Sequence, residues 1–475
     1  MEIPIEEVRS EKPENQLPPK TIADKIKKNL FIVEVPSYGN KVFYSLGFLA
    51  LTCLATLILS GIVMVFFAPT WWLTSSWGVF FRSIHLWAAQ AFIAIIILHA
   101  LVVFSTSGFK APRRLTWMLG AAVFTLALGE AEFGYGLRGD FSSQYRPLQA
   151  ADFFNGAFLG KLVNTLNFSQ IYGMHIIDVP LAIAALVFFH YLLVKVRGIA
   201  KPYRSDIKPA MVPADHRKLF IRGGVLVALI ILFAYISPSP FIPPAKIEQI
   251  AKDDPSLLAQ TLMKEFTKTS DTATYLDSID PYTYDTRKVY VSVPYEQYVA
   301  ASHATDDLAA FNAETSDAQK TSIGQANAYF GKGGEISSQP NANPLIPAVS
   351  SLVVMAKSGL YEAVVDAENK NLNPTYSLRL LDDTGVLDAE ATRLHISTEQ
   401  WGMMRPERGV LPPGAWWLAP LGFLSNVALA NDPNADRDGA AILGFLALLL
   451  IVFPYIPYLN RIPEKLHIAE IIWKR

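Results

Sequence analysis

Four of the eight histidines fall into two pairs of nearly equal spacing, His85 and His99 fourteen residues apart and His175 and His190 fifteen apart. All four lie inside long apolar stretches. In a helix, fourteen residues make nearly four turns, so His85 and His99 point to almost the same face. Fifteen residues turn the second imidazole by about 60°, and either spacing separates the rings by roughly 21–22 Å along the axis. Two such helices side by side present facing imidazoles at each of two depths, which is what bis-histidine ligation of two haem irons requires. A haem is large and flat, so neighbouring helices must make room for it. Gly47 and Gly61 repeat the fourteen-residue spacing, as do Gly120 and Gly134, and glycine lets another group approach the backbone closely.

Read singly, an intramembrane histidine is a helix–helix hydrogen-bond donor, and small-residue spacing is common in membrane helices. Matched histidine pairs at equal depth, with two glycine pairs of the same period, favour two haems. A dinuclear metal site is the rival use of four histidines. The axial gap, however, divides them into two sites of two ligands, too few for ordinary zinc. The one cysteine, Cys53, cannot close an intrachain disulfide, build a thiolate metal site or supply a covalent haem-attachment motif. His303 and His395 lack ligand-spaced companions and read as surface residues.

The elements that must hold these residues are membrane helices. Of the 475 residues, 51% are hydrophobic and only 17% charged, against about 25% in ordinary soluble chains. That excludes a disordered chain, and the net charge of −1 gives no ground for a nucleic-acid partner. No Asp, Glu, Lys or Arg occurs from 42 to 81, nor from 83 to 109. Spans of about 20 apolar residues fall at 43–67, 82–105, 115–135, 172–194, 219–237 and 439–459, and lipid requires them to be helical. The expected fold is an all-α multi-pass membrane protein: a four-helix di-haem bundle, two further transmembrane helices and a long extracytoplasmic insertion. Lys20, Lys25, Lys27, Lys28, Lys110, Arg113, Arg114, Lys195, Arg197, Lys201, Arg204, Lys208, Arg461, Lys465, Lys474 and Arg475 all fall on one side of this topology. The positive-inside rule makes that side cytoplasmic, with both termini there. The start, acidic and proline-rich, reads as a loose tail rather than a cleavable signal.

The expected divisions are a tail over 1–40, the di-haem domain over 41–205, the fifth span with its lead-in over 206–240, an outer insertion over 241–435, and the sixth span with the C-terminus over 436–475. The insertion opens on the proline-rich SPSPFIPP and has soluble composition. Within it DDPSLLAQTLMKEF reads as a helix and RKVYVSVPYEQYV as a strand followed by a turn. A loop of this length suggests a role, either docking a neighbouring carrier or subunit or capping the outer site.

Several spaced motifs coincide in order: Arg82-Ser83-Ile84-His85, His99, the loop SGFKAPRRLTW (107–117) and MHIIDVPLAIAALVFFHYLLVKVRGI (174–199). Together they resemble cytochrome b, in particular its photosynthetic b6-type form, over about residues 30–205. The resemblance implies a di-haem core in a quinol-oxidising, bc-type complex. His85 and His175 would ligate an outer low-potential haem, and His99 and His190 an inner one. The metal ligands are thus His85, His175, His99 and His190, with Gly47, Gly61, Gly120 and Gly134 beside the haem edges. Arg82 matches the arginine that meets an outer-haem propionate. Lys195 falls where the b6-type carries a basic residue near the inner quinone site, and equally suits a snorkelling topology anchor. The resemblance also implies partners: the membrane quinone pool, a Rieske iron–sulfur protein and/or a c-type cytochrome, and a second copy in a homodimer. The membrane is a bacterial-type inner membrane.

Three departures qualify the resemblance. The family's Pro-Glu-Trp-Tyr reads Pro413-Gly414-Ala415-Trp416-Trp417, placing Ala415 at the glutamate that takes quinol's proton. Its Leu-Pro-Trp-Asp reads Leu137-Arg138-Gly139-Asp140. The position of the cysteine that binds a third haem covalently in the b6-type is Ser45, so two haem b groups are expected. Glu130 or Glu132, at the outer boundary of the third span, could replace the missing acid, and the catalytic candidates are therefore Glu130, Glu132 and Asp140. The competing role for the two glutamates is pairing with Arg82 or Arg138, and Glu407 is a further acid candidate. The leading reading is the cytochrome b subunit of a quinol–cytochrome c reductase-like respiratory or photosynthetic complex. Two others stay open: a conduit with one quinone site serving a membrane dehydrogenase or reductase, and a scaffold with structural haems.

Overall fold

The computed structural model describes residues 31–200, 210–275, 285–368, 375–396 and 414–467. Glu407, Pro413 and the basic residues of the N-terminal tail lie outside the described residues, as do Lys201, Arg204, Lys208, Lys474 and Arg475.

The first two apolar stretches form α1 (Leu46–Thr74) and α2 (Ser76–Ser105), which pack along each other as an antiparallel hairpin. Pro69 removes a backbone donor from α1, and Ala68 before it leaves helical geometry at φ 62°; the straight part of α1 therefore ends at the residue where the first span was expected to end. α3 (Arg114–Gly136) packs on α5 (Phe168–Arg197), with the short α4 (Phe141–Gly156) between them in sequence. α6 (His216–Ile236) lies against α1 and α2.

Among the described residues, five segments are long and apolar enough to cross a membrane: Val42–Thr74, Ser76–Ser105, Phe168–Arg197, His216–Ile236 and Arg437–Tyr455. The expected third span is present as α3, whose 23 residues reach about 34 Å. Glu130, Glu132 and four glycines lower its apolarity, and α2, α4 and α5 surround it. Leu59, Phe66, Leu181, Phe189, Leu229 and Leu448 stand exposed on the outward faces of the apolar helices. Lipid accepts such a belt where water would not, and the chain is an integral membrane protein.

At the other end of the bundle from Ser237, β1 (Glu34–Pro36) pairs antiparallel with β2 (Met211–Pro213), Val35 opposite Val212. This ribbon ties the lead-in of α1 to that of α6.

The segment after α6 crosses back over the ends of the helices that lie away from the β ribbon. Trp87 Nε1 donates to the Ser237 carbonyl at 2.8 Å, Ser239 N donates to Ser83 Oγ at 2.7 Å, and Phe141 N donates to the Ile242 carbonyl at 2.9 Å. Gln144 closes the strap by exchanging two hydrogen bonds with the Ala245 backbone, at 2.9 and 2.8 Å.

Beyond the strap comes a helical domain. α7 (Ile247–Asp253) is followed by α8 (Pro255–Thr267), which starts where expected because Pro255 fits its first turn and the Asp254 carboxylate accepts from Leu257 N at 2.9 Å. The run RKVYVSVPYEQYV is not a strand: a π turn over Lys288–Ser292 leads into α9 (Val293–Ser302). β-propensity reflects the surface a residue packs on more than its backbone preference. Here Val289, Tyr290 and Val291 are all buried among helices. A strand there would bury its backbone groups with no ladder to satisfy them. α10 (Leu345–Lys357) is the buried centre of the domain, and with Leu360–Ala367 it makes a 100° bend rather than a straight span. α11 (Thr375–Asp383) packs against Leu360–Ala367. The core of this domain also takes in Phe141, Tyr145, Leu148 and Ala151 of α4, so bundle and insertion share one helix. The chain returns along Gly414–Leu418 to α12 (Ala435–Val452), which packs on α3 and α4.

Candidate cofactor site

The histidine spacings become two ring pairs. The His85 and His175 ring centroids are 6.1 Å apart and 73° from coplanar, and those of His99 and His190 are 6.4 Å apart at 74°. The fifteen-residue offset on α5 is absorbed by a π turn over Met174–Asp178, which contains His175. A π turn accommodates an extra residue per turn, and such bulges gather at functional sites. It brings His175 back toward the face of His190.

Each glycine of the two pairs abuts one histidine. A Cβ built on Gly134 would lie 2.9 Å from Cε1 of His175, and one on Gly120 would lie 3.2 Å from Cε1 of His190. On Gly61 it would lie 3.4 Å from Cε1 of His85, and on Gly47 3.5 Å from Cε1 of His99.

The Nδ1 edges are held by different groups. Ser60 Oγ is 2.9 Å from His85 Nδ1, and the same hydroxyl reaches the Thr56 carbonyl at 2.7 Å. His190 Nδ1 is 2.9 Å from the Thr116 carbonyl. His175 Nδ1 is 3.0 Å from Glu130 Oε1. Hydrogen bonds at His85 and His190, and the Glu130 carboxyl in ion-pair contact beside His175 Nδ1, leave Nε2 as the ring nitrogen for a metal. Two metal–nitrogen bonds of about 2 Å plus two half-rings span roughly 6 Å, which matches both centroid separations. The residues present therefore fit bis-histidine haems.

Glu130 and Glu132 do not pair with Arg82 or Arg138. Glu130 meets His175, and Glu132 Oε2 lies 3.7 Å from Arg146 Nη1 on α4. Arg146 also sits 4.1 Å above the Tyr135 ring and donates from Nε to Ser142 Oγ at 3.1 Å. Glu132 lines a cleft with Gly136, Pro147, Thr165 and Ile171 that is too small for a quinone ring. Arg82 Nη2 donates to the Ser239 carbonyl at 2.9 Å, and Arg138 Nη2 donates to the Pro240 carbonyl at 2.7 Å. Asp140 is fully buried, pairs with Arg138 at 2.9 Å and caps α4 through Ser143 N at 3.2 Å.

Ala415 is also fully buried, packed with Ile93, Tyr135 and Trp417. Gln90 bridges to this segment by donating to the Gly414 carbonyl at 3.1 Å, and its Oε1 accepts from Trp416 Nε1 at 2.9 Å. At the end of the bundle that carries the β ribbon, Ser45 is buried and its hydroxyl accepts from Arg222, which also donates to the Asn40 carbonyl. Lys195 is half-buried in the last turn of α5.

Spacing alone missed Ser60, Thr116 and Arg146. Ser60 carried a signal, since it directly precedes Gly61. Glu130 carried one too, because it lies one turn before Gly134 on the same helix face.

Two family models match the chain, one described as cytochrome b(N-terminal)/b6/petB over residues 90–244 and one as cytochrome b/b6/petB over residues 33–146. Cytochrome b6 of Heliobacterium modesticaldum is 30% identical over 200 residues, covering 38% of this chain and 94% of that protein. Cytochrome b6 of Synechococcus elongatus is 28% identical over 214 residues, covering 40% and 96%. Cytochrome b6 of Prochlorococcus marinus (strain MIT 9515) is 31% identical over 192 residues, covering 35% and 87%. A solved chain described as hyperthermophilic respiratory Complex III aligns with 75% of this chain and 97% of its own length at 18% identity, with a TM-score of 0.39, a likeness too low to carry an argument.

Proposed function

The chain belongs to the cytochrome b/b6 family, and on that premise we propose that it is the cytochrome b subunit of a bc-type membrane quinol:acceptor oxidoreductase, holding two haem b groups. The observation that carries this is the pair of imidazole gaps, 6.1 and 6.4 Å between centroids, each flanked by two glycines. His85 and His175 hold the outer haem, and His99 and His190 the inner one. The haems supply one-electron carriers at two depths. The chain's own residues fix the ligand rings, leave room for the haem edges and manage charge at the outer end.

In this reading Arg82 stands one turn from His85 at the outer haem, while its Nη2 is engaged by the strap. Glu132 serves as proton acceptor beside the outer site, reached by water through its cleft, and Lys195 lies toward the inner quinone site. The Ser45 hydroxyl, held by Arg222, favours two haems rather than three. The outer domain caps the bundle, and a Rieske protein or c-type cytochrome accepts the second electron outside this chain. The membrane is a bacterial-type inner membrane, with both termini on the cytoplasmic side and 241–435 outside.

A pyridine haemochrome assay on the purified protein tests the assignment. Two b haems per chain are expected, falling to one in H85A or H175A and to one in H99A or H190A. A full complement in any of these variants overturns it. The buried Ala415, where the family pattern has a carboxylate, favours a second reading, a conduit with a single quinone site. Quinol-driven haem reduction separates the two: an inhibitor applied from the outer side blocks it only if the outer site oxidises quinol.

A further inference from the structure

Three of the four histidines have Nδ1 neighbours that differ in charge. For His85 the neighbour is a hydroxyl and for His190 a peptide carbonyl, both neutral. For His175 it is the Glu130 carboxyl, 3.0 Å away. The other outer-end charges are directed elsewhere: Glu132 toward Arg146, Asp140 toward Arg138, and Nη2 of Arg82 toward the strap carbonyls. We propose that Glu130 is a positioning residue for His175, fixing the ring by its Nδ1 edge and lowering the reduction potential of the outer haem.

The proposal rests on the two-haem assignment above and deepens it. A carboxylate charge this close to the Nδ1 edge, in ion-pair contact and not in hydrogen-bond alignment, favours electron donation through Nε2. Stronger donation stabilises the more highly charged oxidised iron over the reduced one. A nearby negative charge in a low-dielectric site acts in the same direction. The π turn at Met174–Asp178 serves the same end, because it places His175 opposite both Gly134 and Glu130, which lie one turn apart on α3. Neither partner seen at His85 or His190 carries a charge, so the effect is confined to one ligand of the outer haem.

The test is a redox titration of the full-length protein with its haems, comparing wild type, E130Q, E130D and E132Q. The outer haem is identified as the α-band lost in H175A. In E130Q its oxidised form should lose at least tenfold in relative stability, an upward midpoint shift of about 59 mV for one electron, with the inner haem unmoved. E130D keeps the charge and should stay closer to wild type, and E132Q should shift the outer haem less than E130Q does. Equal shifts of both haems in E130Q, or an outer-haem shift no larger than that of E132Q, overturn the proposal. If E130Q loses the outer haem, E130D decides: retention at a near-wild-type potential supports a charge-based role, and loss overturns it. A wild type with two haems and an unmoved E130Q potential sinks this inference alone, whereas a wild type without two haems sinks the assignment beneath it.

Discussion

At the scale of single residues, the site is defined by how closely glycine lets a ring approach the backbone. The four glycines form a graded series, with built Cβ distances rising from 2.9 Å at Gly134 through 3.2 Å at Gly120 and 3.4 Å at Gly61 to 3.5 Å at Gly47. The last is ordinary van der Waals contact, and the first requires the His175 ring to move. Alanine should therefore cost haem retention in that order, G134A most and G47A least, with G134A selectively depleting the outer haem. Haem-to-protein ratios after detergent extraction check the series; an order unrelated to these distances would show that the glycines serve helix packing instead. The histidine and glycine positions were legible in the sequence because helix geometry converts spacing directly into face and depth. The partners of the Nδ1 edges were not, since they depend on the rotation of α1 and α3 about their axes. The same limit explains why the competing role of Glu130 and Glu132, pairing with Arg82 or Arg138, is not what they do: they meet His175 and Arg146.

At the scale of elements, α4 joins the bundle to the helical domain that follows the strap, and Arg146 on it faces Glu132 of α3 at 3.7 Å. Removing the arginine while leaving Glu132 buried exposes the cost of an uncompensated charge, about 3–5 kcal/mol for a buried pair. R146M is expected to destabilise the protein by about 3 kcal/mol, and R146M combined with E132Q by clearly less than the sum of the two single changes. Thermal or denaturant unfolding of the four proteins closes this cycle, and strict additivity would show that the two side chains do not interact. The helix over Pro255–Thr267 was legible because its cap and first-turn proline are local signals. The run RKVYVSVPYEQYV reads as a strand followed by a turn and is helical instead, because its β-branched and aromatic residues are selected by burial between helices, which no local pattern records.

At the scale of the whole molecule, the helical domain that follows the strap carries its own buried acidic centre. Glu265 is fully buried, accepts from Ser270 Oγ at 2.8 Å and lies against Asp383, which caps Thr272 N at 2.8 Å. Burial first, and then the neighbouring Asp383, push the Glu265 carboxyl well above its usual 4.5. Burial likewise pushes Asp382 up to about 7. Groups raised in this way favour the protonated fold. Their contribution to stability is complete below the unfolded values and is lost as pH rises through the folded ones. The helical domain should thus weaken from about pH 4 through neutrality into the alkaline range, by a few kcal/mol in all. E265Q should flatten that dependence and raise the melting temperature at pH 8. An unchanged pH profile would mean that Glu265 is not the group that holds the proton. The change in composition after the fifth apolar stretch is visible in the sequence, but the helix common to bundle and helical domain is not, because α4 is too short and too mixed in polarity to declare which side it serves.

That shared helix limits how the gene can be rearranged. Phe141, Tyr145, Leu148 and Ala151 carry the greasy side of α4 into the insertion's interior, so excising the insertion would leave those side chains bare at the bilayer rim. A shortened chain of that kind invites aggregation and proteolytic clearance before any electron-transfer defect could be seen, and grafting the insertion onto another cytochrome would require transplanting α4 along with it.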